Sequence, residues 1–341
     1  MEKVLTVVVP AYNAESYLAN CLNSLCLSDL LGVLEIIIID DGSTDHTGVL
    51  ADQYQRCYPC TIRVIHKENG GHGSGINHGI QAASGRYFKI VDADDWVDPD
   101  GFRRFVHFLS GAVSDAVVTG FYWAYDDGSG REEQFRRKAE IYEPFSGVNY
   151  GINYYFDDIA EKIYIKMHGL TLRTSILREH RIQVDENCFY VDMEYILYPV
   201  PFIKTICFLQ DFVYQYRIGR SGQSVDPRRM ARLQGDYDRV LHSLFDFYKK
   251  CSAASDCSQK KCSYIARVTA RAVAGRIKIL LGLPYGKASK TALAAFDQMV
   301  KRNYPEIYAA NENRAVLLLR LSRYHLYPAA FYLLKIRNRR W

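Results

Sequence analysis

The chain has 341 residues, 48% hydrophobic and 24% charged, a balance that supports one large or two modest folded domains and excludes a disordered protein. No apolar run reaches the roughly 18 residues of a membrane-spanning helix, and the early "VLTVVVP" is too short for a signal peptide, so a cytoplasmic location is expected. Net charge is +5, but seven Lys or Arg against Glu312 give residues 311–341 +6 and leave −1 elsewhere, unlike the basic groove of a nucleic-acid binder.

"LTVVVP" and "LEIIIIDD" are apolar, β-branched runs bounded by turn residues, as buried parallel strands are. Between them Tyr17, Leu18, Cys21, Leu22 and Leu25 recur at helical spacing. "GSTDHTGVLADQY" predicts a second helix capped by Ser43 or Thr44. "TIRVIH" predicts a third strand, Ser74 to Ala83 a third helix, "RYFKIV" a fourth strand, and Asp98-Pro99 the cap of a further helix. This alternation predicts an α/β fold, a mostly parallel mixed sheet flanked by helices. Ligands of such sheets sit beyond the carboxyl ends of the strands. Here those ends carry Pro10-Ala11-Tyr12-Asn13, Asp40-Asp41-Gly42-Ser43, Asn69-Gly70-Gly71-His72 and Asp92-Ala93-Asp94-Asp95.

The alternating Gly71, Gly73 and Gly75 invite a dinucleotide-binding reading. That fingerprint belongs to the first strand–helix turn, where this chain has Pro10 and no N–H for a pyrophosphate, so hydride transfer is set aside. The aspartates are more informative. Five lie between Asp92 and Asp100, and only Asp98 is needed as a cap. At the end of an extended strand residues two apart point the same way, so Asp92 and Asp94 aim at one point while Asp95 faces elsewhere, and two converging carboxylates suit Mg²⁺ or Mn²⁺ with substrate phosphates.

Together "VVVPAYNAESYLANCLNSL", "EIIIIDDGSTDHT", "NGGHGSGINHGIQAASGRYFKIVDADD" and "FYVDMEYIL" resemble the family-two inverting glycosyltransferases of the A-type fold. The resemblance covers residues 1–225, with 1–110 as a nucleotide-sugar half and 111–225 as an acceptor half. It implies transfer of a sugar from a nucleotide diphosphate donor, most often a UDP-sugar, to an acceptor hydroxyl on a growing or lipid-linked cell-surface glycan. It implies that Pro10, Ala11 and Tyr12 line the nucleoside pocket, that Tyr12 stacks on the base, and that Asp41 accepts a base N–H. Asp92 would lie near ribose and metal, and Asp94 would be the principal metal ligand. His72 stands where many relatives carry a phosphate-binding lysine, and a solvated loop histidine is the plain alternative. Asp192 matches the family's catalytic base, with Glu194 in reserve, although either would also suit a helix N-terminus. Arg217 and Arg220 are candidates for the diphosphate or for solvent, and His168 for the acceptor. The aromatics of "GFYWAYDDG" and "NYGINYYF" are candidates for a sugar-stacking wall or for ordinary packing. A silent nucleotide-sugar-binding scaffold and a nucleotidyltransferase are the competing readings. "PAYNAES" lacks the basic residue the latter would want after the first strand.

Residues 226–341 read as a helical appendage. Its last segment, "RAVLLLRLSRYHLYPAAFYLLKIRNRRW", is basic, aromatic and free of acids. It fits peripheral contact with the inner face of a membrane, or packing of Leu317, Leu318, Leu321 and Leu333 on preceding helices or a second subunit. Nine scattered cysteines point to reduced thiols. "CYPC" closes a helix where a redox motif would open one, and Cys251, Cys257 and Cys262 read as loop thiols.

Overall fold

The computed structural model describes residues 2–127, 135–139, 147–219 and 227–338. The chain divides into two compact units, Met1–Arg220 and Ser221–Trp341.

The first unit opens as the hydrophobic pattern requires. Strand β1 (Leu5–Ala11) is buried along its whole length, and β2 (Leu34–Asp40) nearly so, because helices cover both faces of these Val/Ile runs. Helix α1 (Leu18–Leu25) buries Leu18, Cys21, Leu22 and Leu25. Then follow α2 (Thr47–Cys57), β3 (Ile62–His66), α3 (Gly71–Ala82), β4 (Tyr87–Ile90), the short β5 (Trp96–Val97) and α4 (Pro99–Gly111). Asp98 caps α4 as expected, accepting the Gly101 N–H at 2.8 Å. The expected cap of α2 is displaced. Asp45 takes the Thr47 N–H, while Ser43 and Thr44 bond to Asn13 and tie the end of β1 to the end of β2.

Beyond residue 111 come β6 (Ala116–Tyr125), β7 (Arg136–Ala139), β8 (Asn153–Tyr155), α5 (Phe156–Ile159), β9 (Leu170–Arg173), α6 (Thr174–Glu179), α7 (Asp192–Leu197) and β10 (Thr205–Ile218). The ten-stranded sheet runs β3-β2-β1-β4-β9-β6-β10-β5, with β7 on β6 and β8 on β10. Strands β3, β2, β1 and β4 are mutually parallel; β9 joins β4 and β6 antiparallel, and β6 and β10 pair parallel. The carboxyl ends of β1, β2, β3 and β4 therefore share one edge.

Helix α3 starts three residues earlier than its apolar pattern predicts, so the glycine run forms its first turns. Gly71 has φ +80, and a Cβ on Gly73 would collide with the Asp185 carbonyl oxygen. These glycines serve close approach of α3 to the 184–188 loop.

The second unit is helical: α8 (Pro227–Arg232), α9 (Gln234–Ala253), α10 (Gln259–Gly282), α11 (Lys287–Asn303), α12 (Pro305–Ala309), α13 (Arg314–Leu321) and α14 (Tyr327–Asn338). Of the three cysteines expected in loops, only Cys257 lies in one, between α9 and α10; Cys251 is in the last turn of α9 and Cys262 in the first turn of α10. All three are buried where α9 meets α10, with the Cys257 and Cys262 sulfurs 3.5 Å apart. Cys57 and Cys60, by contrast, are exposed.

Candidate active site

The strand-end loops meet as the sheet topology dictates. Tyr12, just past β1, has 53% of its surface exposed, while Pro10 and Ala11 beneath it are buried. Asp41 is buried and heavily bonded. Its Oδ1 accepts from Lys67 Nζ at 2.5 Å and from the Gly70 N–H at 2.9 Å, and its Oδ2 accepts the Gly71 N–H at 2.7 Å. A carboxylate has about four acceptor positions. Among the described residues three are filled from within, which leaves one on Oδ2.

The acidic loop differs from its expected form. Strand β4 ends at Ile90, and the Asp95 N–H donates to the Asp92 carbonyl at 2.9 Å, so residues 92–95 make a turn instead of extending the strand. Alternation then no longer governs side-chain direction. Among the described residues Asp92, Asp95 and His168 each bring one ligand atom within 4.8 Å of the others. Asp95 is nonetheless committed inward. The Tyr214 hydroxyl donates to its Oδ2 at 2.5 Å and the Arg217 N–H to its Oδ1 at 2.8 Å. Burial, followed by the charges of Asp94 and Asp92, pushes its carboxyl well above the usual range. Asp92 and Asp94 are half-buried at the loop surface and are oxygen donors of the kind a hard divalent cation takes.

His72, in the first turn of α3, is no solvated loop residue. Its Nε2 lies 2.8 Å from Asp92 Oδ1. Burial works against the imidazolium, but Asp92, Asp192 and Asp94 together hold its pKa above the ordinary value.

Asp192 heads α7. The preceding loop is stitched to α3, since Asn77 exchanges hydrogen bonds with the Val184 backbone and the Asn187 N–H donates to the Gly70 carbonyl at 2.6 Å. Helix α3 thus supplies His72 and also fixes the approach to Asp192. Burial raises the Asp192 carboxyl and Asp92 raises it further; His72 opposes them, and the result is about 6. Glu194 turns the other way. It is fully buried and accepts the Asp185 N–H at 2.7 Å, a structural contact.

Arg217 is neither solvated nor open to a diphosphate. It is buried, with its guanidinium 5.0 Å from the ring centroids of Tyr17 and Trp96. Its Nε donates to the Asp94 carbonyl and Nη1 pairs with Asp126, so it shapes the acidic loop from behind. Arg220 lies outside the described residues.

An aromatic group does gather around His168, whose ring lies 5.0 Å from Phe121, 5.0 Å from Tyr214 and 4.2 Å from Tyr216. Trp123 extends it, 5.0 Å from Tyr216. Tyr214 and Tyr216 escaped the sequence reading, although their spacing of two on one strand was the available signal. Lys89 was missed as well. It is fully buried on β4 and donates from Nζ to the His168 carbonyl at 2.7 Å, and burial lowers its pKa to about 7.

The family model described as Glycosyl transferase family 2 matches residues 6–178, half of the chain. The chain belongs to glycosyltransferase family 2. Among similar proteins is the uncharacterized glycosyltransferase EpsJ of Bacillus subtilis, 39% identical over 122 residues, which are 36% of this chain and 35% of EpsJ. The match therefore spans about a third of that relative's length. The fold resembles that of S. aureus TarS 1-349 in complex with UDP-GlcNAc, with TM-score 0.57, 16% identity and coverage of 91% of this chain and 90% of that one. It also resembles the mannosyltransferase PcManGT from Pyrobaculum calidifontis in complex with GDP-Man and Mn²⁺, with TM-score 0.52, 14% identity and coverage of 99% and 87%. The family match takes in every strand-end loop from Pro10 to Asp95, whereas Asp192 lies beyond it.

Proposed function

We propose that the chain is a metal-dependent inverting glycosyltransferase that moves a sugar from a UDP-sugar to an acceptor hydroxyl in one displacement. The observation that carries this reading is Asp192: a carboxylate at the head of α7, pushed up to about 6, in the field of the same Asp92 and His72 that border the acidic loop. A general base works best with a pKa near the working pH.

On the donor side, Tyr12 stacks on the base above Pro10 and Ala11. Asp41 has one acceptor position left, which matches the single N3–H of uracil better than the two adjacent donors of guanine. Asp94 and Asp92 would hold a Mn²⁺ or Mg²⁺, and the surplus of carboxylates around them favours a cation on electrostatic grounds. When bound, such an ion neutralises charge growing on the departing diphosphate. His72 stands beside Asp92 as a second positive group for the phosphates. On the acceptor side, Asp192 takes the proton of the hydroxyl as its oxygen bonds to the anomeric carbon. The bond from that carbon to the diphosphate breaks with its electron pair on UDP, and the configuration inverts. Trp123 and Tyr216 offer ring faces to the acceptor sugar. The acceptor in this reading is a growing or lipid-linked glycan at the cytoplasmic face of a membrane, and the catalytic part is the unit ending near residue 220.

The test is thermal unfolding with UDP, GDP and CDP, each with and without Mn²⁺, followed by product analysis on UDP-sugars. A ligand at 100 times its dissociation constant stabilises by about 2.7 kcal/mol. Stabilisation by UDP with Mn²⁺, and release of UDP without pyrophosphate, are the expected results. Pyrophosphate release would instead indicate nucleotidyl transfer, and binding without turnover on any sugar a silent scaffold.

A further inference from the structure

The last two helices of the second unit answer the question the leucines raise. Helix α13 is held to its unit by Val316 and Leu319, both buried, and by Arg320, whose guanidinium forks onto the buried Asp297 at 2.8 to 3.2 Å and lies 3.5 Å over the Tyr308 ring. Arg320 is thus an internal ion pair and no part of the basic surface. The turn into α14 is pinned too. Arg323 and Tyr324 take φ +47 and +62, Tyr324 donates its hydroxyl to Asp297 Oδ2 at 2.7 Å, and Tyr327 is buried.

Phe331 packs its ring on Tyr285, whereas Leu317, Leu318, Leu321, Tyr332, Leu333 and Ile336 stay exposed. Leu317, Leu318 and Leu321 fall at i, i+1 and i+4 on α13, and Tyr332, Leu333 and Ile336 repeat that spacing on α14, so each helix presents an apolar stripe. Leu321 keeps 82% of its surface exposed and Leu333 68%. Such stripes are larger than the single exposed leucines of an ordinary surface. Arg314, Arg323 and Lys335 are exposed beside them, and residues 313–338 contain no acidic side chain. No described helix is long and apolar enough to cross a membrane.

We propose that the outer face of α13 and α14 docks on an anionic lipid bilayer, with the leucines in the interface and the basic residues at the headgroups. Charge decides for lipid over a second copy of the chain, because two copies meeting through this face would bring their uncompensated positive charges together. A bilayer carrying negative headgroups satisfies the apolar and the basic groups at once. That the membrane carries the acceptor rests on the glycosyltransferase reading, whereas the docking surface does not.

The experiment is co-sedimentation of the full chain with phosphatidylcholine vesicles, with and without phosphatidylglycerol, at low and high salt. Binding is expected only with phosphatidylglycerol and should weaken with salt. The double variant Leu321→Glu/Leu333→Glu should not bind. Arg323→Glu/Lys335→Glu should bind at least tenfold more weakly, since each basic residue near the surface is worth roughly fivefold. Both variants alter exposed side chains and should melt with the parent. Absence of parent binding, or equal binding by parent and variants, would overturn the proposal. So would a parent dimer in analytical ultracentrifugation that Leu321→Glu/Leu333→Glu dissociates. None of these readouts depends on catalysis.

Discussion

The imidazole of His72 and the carboxylate of Asp92 meet at 2.8 Å, with Asp192 close enough for its charge to raise the same imidazole. Two loops far apart in sequence are thereby joined electrostatically. Burial and the charge of Asp92 push the Asp192 pKa up, His72 pulls it down, and the net is about 6. Replacing His72 with glutamine removes that opposing pull, so the Asp192 pKa should rise. A base acts only when deprotonated, so the acid limb of the kcat/KM–pH profile should lie near pH 6 in the parent and at higher pH in His72→Gln. A limb that stays in place or moves to lower pH would detach His72 from Asp192.

Asp94→Asn replaces an anionic ligand with a neutral amide facing a divalent cation. Transfer should be abolished and the Mn²⁺-dependent part of UDP stabilisation lost, while the melting temperature without ligands changes little because Asp94 is half-buried at the loop surface. Asp92→Asn should do less. Full turnover in EDTA, or by Asp94→Asn, would remove the metal from the mechanism.

Much of this was legible in the sequence, and the failures have physical causes. The runs "LTVVVP" and "LEIIIID" could only be buried parallel strands, which placed Tyr12, Asp41, His72 and Asp92 on one edge in advance. The direction of the aspartates was not legible, because one backbone hydrogen bond from Asp95 to Asp92 turns the chain there. Tyr214 and Arg217 reach the acidic loop across more than a hundred residues, a contact no local period reports. The tail leucines were legible as apolar but not as exposed, since that depends on which residues the Asp297–Arg320 pair draws inward.

Lys89 offers a test on stability. Its amine is fully buried, and burial lowers its pKa to about 7, below that of an exposed lysine. The unfolded chain therefore binds the proton more tightly. The contribution of Lys89 to stability is full only above the unfolded pKa and falls as pH drops toward 7, below which the loss is complete. From about pH 7 to about 9.5 the unfolding free energy of the parent, relative to Lys89→Met, should rise with pH, its slope growing from about half of 1.4 kcal/mol per pH unit near pH 7 toward about 1.4 well above it. Urea titrations of both proteins measure it. A pH-independent difference would mean that Lys89 stays charged in the fold.

The central claim is that Asp192 removes the acceptor proton. The most direct measurement compares turnover and UDP affinity in Asp192→Asn, by steady-state kinetics with the productive donor and by calorimetry with UDP and Mn²⁺. The account predicts turnover lower by a factor on the order of 10² to 10⁴, the range for loss of a general base, with UDP affinity nearly unchanged. Turnover close to that of the parent, or affinity that falls as far as turnover, would contradict it.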